Sequence, residues 1–210
     1  MSHLEEDEKL LVELEAKELR VIEPSQKDGL VYTKIMSATP PEFAENKEYA
    51  LLFGRARKQR IFLVITMYNE GREELEATLK GVARNIEFLI NKTGHRDIWQ
   101  EIVTCIVVDG RTRANPDTLD FLVEKGMCNV TMMHKAATDS QGEVALHLFE
   151  STIQLKVAEV TTELLPKMQV MLAIKERNAG KLDSHWWFYM AFASVLNPDY
   201  TFVCSESPVC

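Results

Sequence analysis

The sequence has 210 residues, 46% hydrophobic and 27% charged, with 24 basic against 32 acidic side chains and a formal net charge of −8. That length fits one ordinary domain or one domain with an arm, and the apolar content can build a core, which excludes overall disorder. The negative balance excludes nucleic acid as the main partner, because phosphate binding needs a concentrated basic face. Residues 1–23 hold eight acidic and three basic side chains, a net of −5, so the remainder is only mildly acidic. No apolar run approaches the roughly 20 residues of a membrane helix. The start of the sequence lacks the basic and apolar regions of a secretory signal, so the chain by itself reads as soluble and cytoplasmic. Cys105, Cys128, Cys204 and Cys210 form no C-x-x-C and have no histidine at zinc-ligand spacing; they read as buried free thiols.

In chain order, Leu4, Leu11, Leu14, Leu19 and Ile22 recur among charges, which predicts a short acidic helix over residues 4–22, stopped by Pro24. Residues 24–60 are punctuated by Pro24, Gly29 and Pro40-Pro41, and read as a connecting segment between an arm, 1–23, and a domain, 61–210. Ile61–Met67 is a continuous apolar, β-branched run, the mark of a strand buried on both faces of a parallel sheet. Leu75, Leu79, Val82, Ile86 and Leu89 then recur at steps of three and four, predicting a helix over 72–91.

Ile102–Val108 is a second buried strand. Asn115-Pro116 supplies a cap and a first-turn proline for a helix from about 116 to 125, ending at Gly126. Val130–His134 reads as a short strand and Val144–Leu155 as one or two strands. Met168–Ile174 is another strand, Leu182–Leu196 is helical, and Tyr200–Cys204 is a last strand. Strands alternating with helices imply an α/β, mostly parallel sheet with helices on both faces.

Ligands of open α/β sheets bind beyond the carboxyl ends of the strands. Two such ends carry polar groups: Thr66-Met-Tyr-Asn-Glu70 and Asp109-Gly-Arg111. The ring of Tyr68 can stack on a base, and the carboxylates can accept hydrogen bonds from a uracil N–H or from ribose hydroxyls. The competing reading is that these acids cap the helices that follow. Neither G-x-x-x-x-G-K-[ST] nor G-x-G-x-x-G occurs, so the P-loop and dinucleotide readings lack their defining loops. A third stretch, Lys175-Glu-Arg-Asn178-Ala-Gly-Lys181-Leu-Asp-Ser-His185-Trp-Trp187-Phe188, offers a cation leaving a strand and a diphosphate clamp. Asp183 or Ser184 would cap the helix, and His185 would point into the cleft. Trp186, Trp187, Phe188, Tyr189 and Phe192 read as core.

Taken together, Ile65–Glu70, Cys105–Arg111 with Asn115-Pro116, and Lys175–Phe188 resemble chitin synthase, whose motifs run T-M-Y-N-E, S-D-G-R and K-E-K-N-x-x-K-I-N-S-H-R-W-F in that order. The resemblance spans about residues 43–204. It implies a GT-A-like fold and an inverting, processive transfer of N-acetylglucosamine from a UDP donor to a growing β-1,4 chitin chain, at the cytoplasmic face of the plasma membrane. By position, it assigns Thr66, Tyr68 and Glu70 to the uridine end of the donor site, Asp109 and Arg111 to the same pocket, and Lys175 and Lys181 to the diphosphate side.

Two departures stand out: Val108 replaces the serine before Asp-Gly-Arg, and Trp186 replaces the arginine of His-Arg-Trp. After Cys204 the family continues into a D-x-G-T loop that holds a divalent metal, Mg or Mn, and later into its catalytic acid, Q-R-R-R-W and membrane spans. Here Ser205–Cys210 follows instead, so the expectation is the donor-nucleotide half of a synthase, inactive alone, with an uncovered apolar face. The alternative is an inactive truncated homologue that binds UDP-sugar weakly or associates with a full-length synthase or with itself. A cellulose- or hyaluronan-type transferase shares the strand-end acids but fits the Lys175–Phe188 string less well.

Overall fold

In a computed structural model, the structure describes residues 29–204 except 37, 47, 48, 50, 57 and 141. The acidic helix expected over 4–22 and the tail Ser205–Cys210 lie outside the described residues.

One six-stranded sheet organises the chain. Its strands are β1 (Val31–Met36), β2 (Ile61–Met67), β3 (Ile102–Val108), β4 (Val144–Ile153), β5 (Met168–Lys175) and β6 (Tyr200–Cys204). They stand in the order β1-β4-β5-β3-β2-β6. The four strands β5, β3, β2 and β6 are mutually parallel, whereas β4 runs antiparallel to both β5 and β1. The sheet is therefore mixed, with its parallel half built from the apolar runs read in the sequence.

Alternate side chains of these strands feed two separate cores, as a period of two requires. On one face Leu63, Ile65 and Met67 of β2 and Ile106 and Val108 of β3 meet α3 (Arg72–Thr93), α4 (Pro116–Glu124) and α5 (Val130–Asp139). The α3 helix buries Leu75, Leu79, Val82 and Ile86 of its predicted apolar stripe, with Ala83 added and Leu89 only partly buried. On the other face Phe62, Val64, Val103, Cys105 and Val107 meet α1 (Pro40–Glu45), α2 (Leu52–Ala56) and the segment after β5. That segment is α6 (Lys181–Trp186), a π-helical stretch Trp187–Ala193 and a last turn, α7 (Ser194–Leu196). The wider π turn keeps Trp187, Phe188, Ala191 and Phe192 all buried against the sheet, with Phe188 stacked on Phe62 at 4.4 Å.

Two local expectations change and one open alternative is resolved. Val130–His134 is not a strand but the start of helix α5; Asn129 caps it by accepting the Met132 N–H at 3.1 Å, and Met133 and Ala136 turn inward. Val144–Ile153 is a single strand, because it is paired along both edges. The described part of the segment 24–60, expected to be a connector, supplies β1, α1 and α2. The buried carboxylate of Glu150 on β4 holds the start of α2 by accepting the N–H groups of Leu52 (2.9 Å) and Phe53 (3.2 Å). Edge strand β6 leaves Tyr200, Phe202 and Val203 exposed.

Candidate functional site

The carboxyl ends of the parallel strands open on one edge of the sheet. From β2 the chain passes over one face to β3, and it later crosses the other face to reach β6, so the order reverses at β2. Such a reversal leaves a crevice that neighbouring loops cannot fill. A cleft of about 300 Å³ lies there. The end of β2 contributes Thr66, Met67, Tyr68 and Glu70, the end of β3 contributes Asp109, and the start of α6 with its preceding loop contributes Asn178, Gly180, Lys181 and Ser184.

Each wall has a local cause. The Glu70 carboxylate accepts the Tyr68 N–H, which folds the loop after β2 back on itself, and the Glu70 carbonyl accepts from Thr118 Oγ1 of α4 at 2.8 Å. The Tyr68 ring is left 45% exposed at the rim. Asp109 N–H closes the strand ladder by donating to the Met67 carbonyl at 2.8 Å. Gly110 then turns at φ +100°, and a Cβ there would sit 3.0 Å from the Asn178 backbone nitrogen, so only glycine lets the two loops approach.

The sequence candidates divide into two groups. Thr66, Tyr68, Glu70, Asp109 and Lys181 line the cleft together. Lys175 and Arg111 are not among its lining residues. Lys175 Nζ lies between Asp109 Oδ1 at 2.7 Å and Asp183 Oδ2 at 2.6 Å, with its side chain 3% exposed. Asp109 Oδ1 also accepts the Ala179 N–H at 3.0 Å. Lys175 thus neutralises the acids beneath the cleft and ties β3, β5 and α6 to one another. Arg111 donates its Nε–H to Glu176 Oε1 at 2.8 Å and its backbone N–H to the Lys175 carbonyl at 2.7 Å. Burial alone would raise the Glu176 carboxyl, but hydrogen bonds from Arg111 and His147 outweigh it and hold the group below the usual carboxylate range.

Asn178, Gly180 and Ser184 line the cleft without having been assigned a part in it. All three lie inside the Lys175–Phe188 string, so the signal was present but unassigned. Gly180, not Asp183 or Ser184, is the N-cap of α6. Ser184 is buried and its Oγ has no hydrogen-bond partner among the described residues, which leaves a donor and acceptor facing the cleft wall. His185 does not line the cleft, and its Nε2 is buried without a partner among the described residues. Of the aromatic cluster, Trp187, Phe188 and Phe192 are core, whereas Trp186 and Tyr189 are exposed.

Among the described residues no three His, Cys, Asp or Glu side chains stand close enough to hold a metal ion. Between Asp109 and Asp183, where two acids converge, the Lys175 ammonium already sits. The described residues therefore do not fit a resident metal. No helix among them is long and apolar enough to cross a membrane.

Residues 61–206 match the family model described as a chitin synthase-like glycosyltransferase domain. The chain is 38% identical over 186 residues to Chitin synthase 1 of Phytophthora sojae, covering 82% of this chain and 20% of that protein. It is 32% identical to Chitin synthase 3 of Verticillium dahliae, over 83% of this chain and 21% of the relative. It is 33% identical to Chitin synthase 1 of Gibberella zeae, with the same coverage on each side. The chain spans about a fifth of the length of the curated relatives it matches.

Proposed function

The chain belongs to the chitin synthase-like glycosyltransferase family, and from that membership we propose that its strand-end cleft binds the nucleotide of a UDP-N-acetylglucosamine donor. The parent reaction is transfer of N-acetylglucosamine to the end of a β-1,4-linked chitin chain. In that step the bond from the sugar's anomeric carbon to the diphosphate breaks, UDP leaves with the electron pair, and the acceptor hydroxyl forms the new bond as it gives up its proton. The residues of this cleft act on the donor side. Tyr68 stacks on the uracil, and Asp109, Glu70 and Thr66 meet the polar edges of base and ribose. Lys181, which lines the cleft from the start of α6, offsets diphosphate charge, and Lys175 keeps Asp109 in place by its ion pair. The divalent metal of the full-length family, Mg or Mn, would offset further charge on the leaving diphosphate, and the described residues do not hold it. The acceptor chitin chain, the cytoplasmic face of the plasma membrane and any pairing with a synthase or a second copy belong to the same proposal.

The observation that carries this reading is the convergence of residues from the ends of β2 and β3 and the start of α6 on one cleft, whose lining includes the half-exposed Tyr68 and Lys181. Calorimetric titration of UDP, UDP-N-acetylglucosamine and ADP into the 210-residue chain tests it. The expected result is binding of both uridine ligands in preference to ADP, weakened about tenfold by Y68A, since base–aromatic stacking contributes about 1–3 kcal/mol. Tyr68 is half exposed, so its removal leaves the core intact. Equal affinity for ADP, or full UDP affinity in Y68A, would refute the assignment.

A further inference from the structure

A part-buried polar chain leads from the sheet's edge strand, through His147, to the loop that carries Asp109. Tyr32 of β1 and His147 of β4 meet through Tyr32 Oη and His147 Nδ1 at 2.7 Å. On its other side His147 Nε2 lies 2.6 Å from Glu176 Oε1, the same oxygen that receives the Arg111 Nε–H. His147 is fully buried. The directions of these bonds follow from the chemistry of the groups. An ionised carboxylate only accepts, so Nε2 carries the proton and donates to Glu176, and Nδ1 accepts from the Tyr32 hydroxyl. The ring is neutral at pH 7, because burial pushes the imidazole below its ordinary value against the opposing pull of Glu176. The Tyr32 hydroxyl keeps its proton, because burial and the nearby Glu176 charge push it up.

We propose that His147, linked to Tyr32, is a positioning residue for the cleft: it holds Glu176 so that Arg111 docks the 109–111 loop against the 175–179 loop. The argument rests on the donor-site reading given above. Glu176 is further fixed by its own N–H on the Ala145 carbonyl at 3.1 Å, and Arg111 by its N–H on the Lys175 carbonyl. One residue from Arg111 is Gly110, packed on Asn178; one further is Asp109, holding the Ala179 N–H. Asp109 and Asn178 are cleft walls, so a shift of the Glu176–Arg111 pair moves both. Burying a polar ring at position 147 costs desolvation that an apolar side chain there would avoid. What it supplies in return is direction: a leucine could fill the space but could not orient a carboxylate. Arg111 accordingly acts by holding the loops rather than by touching the nucleotide. Strand β1, which precedes the span matched by the family model, becomes part of the donor site's support.

The test is UDP titration of the 210-residue chain and its variants, with folding checked by circular dichroism. H147L should weaken UDP binding about tenfold, while H147Q, whose amide can donate to Glu176 and accept from Tyr32, should stay within about threefold of wild type. In an R111A background H147L should add nothing, because both act through one pair. Nitrogen NMR of the ring should show the Nε2–H tautomer. Should H147L fail to fold, Y32F decides: it keeps the ring on Phe149, 4.7 Å away, and should weaken UDP about threefold. Wild-type binding that is unchanged in H147L or Y32F, or an H147L effect that persists in full without Arg111, overturns the positioning role alone. Absence of UDP binding by the wild-type chain overturns the donor-site reading and this inference with it.

Discussion

Lys175→Met is the most informative perturbation of the cleft floor. Methionine keeps the unbranched stem and removes only the charged end, so the change isolates electrostatics from packing. Lys175 is almost wholly buried between two carboxylates that fare differently without it. Asp183 has a side chain 25% exposed and can rehydrate; Asp109, at 7%, keeps only the Ala179 N–H. Breaking a buried pair by removing one partner costs about 3–5 kcal/mol, and with one acid able to reach water the lower figure, about 3 kcal/mol, applies here. In urea unfolding followed by tryptophan fluorescence, a slope of about 2 kcal/mol per molar turns that into a midpoint about 1.5 M lower. Adding D109N removes the stranded charge, so the double variant should regain about 1–3 kcal/mol over K175M. A K175M midpoint within error of wild type, or strict additivity in the double variant, would show that Lys175 does not neutralise Asp109 as argued.

Two further outcomes follow from the loops and the polar chain beside them. G110A places a Cβ at φ +100° against the Asn178 backbone and should lower stability by about 1–3 kcal/mol in thermal melts; G81A, in open space on α3, should be neutral or slightly stabilising. Stability should also fall as pH drops below about 6.5, because the unfolded chain takes up a proton that folded His147 resists; Glu176, whose pKa is lowered, adds a second loss below about 4.5. Urea midpoints across pH 7 to 4 check this, and H147Q should lose the upper limb while keeping the lower; identical profiles in the two proteins would refute the assignment to His147.

Most of the parallel half of the fold is written in local pattern. Ile61–Met67, Ile102–Val108 and Met168–Ile174 are largely apolar, the first two rich in β-branched residues, and such runs are stable only between two covered faces. The α3 stripe and the Asn115-Pro116 cap are equally local. Strand ends followed by Tyr68, Glu70 and Asp109 were legible as cleft walls for the same reason, since the end of a buried parallel strand has a fixed place relative to the crevice. Other features depend on partners far along the chain. Val31–Met36 mixes polar and apolar residues, and becomes a strand only because β4, more than a hundred residues later, pairs with it. Val130–His134 is too short for periodicity to separate strand from helix, and the Asn129 cap with inward packing of Met133 decides for helix.

The two lysines show the same division. Lys175 and Lys181 are both cations next to a glycine-bearing loop, and nothing in their spacing distinguishes them. Ion pairs to Asp109, 66 positions earlier, and to Asp183 draw Lys175 beneath the cleft and leave Lys181 on its wall. His147 is an isolated histidine in an apolar strand, without a local sign of its role. By itself, then, the sequence determined which segments must be buried and which polar groups stand at their ends, because hydrophobic period and strand polarity are properties of a few consecutive residues. Only the tertiary structure decided which charges are consumed by one another and which face the cleft, because that depends on distances between residues that only folding brings together.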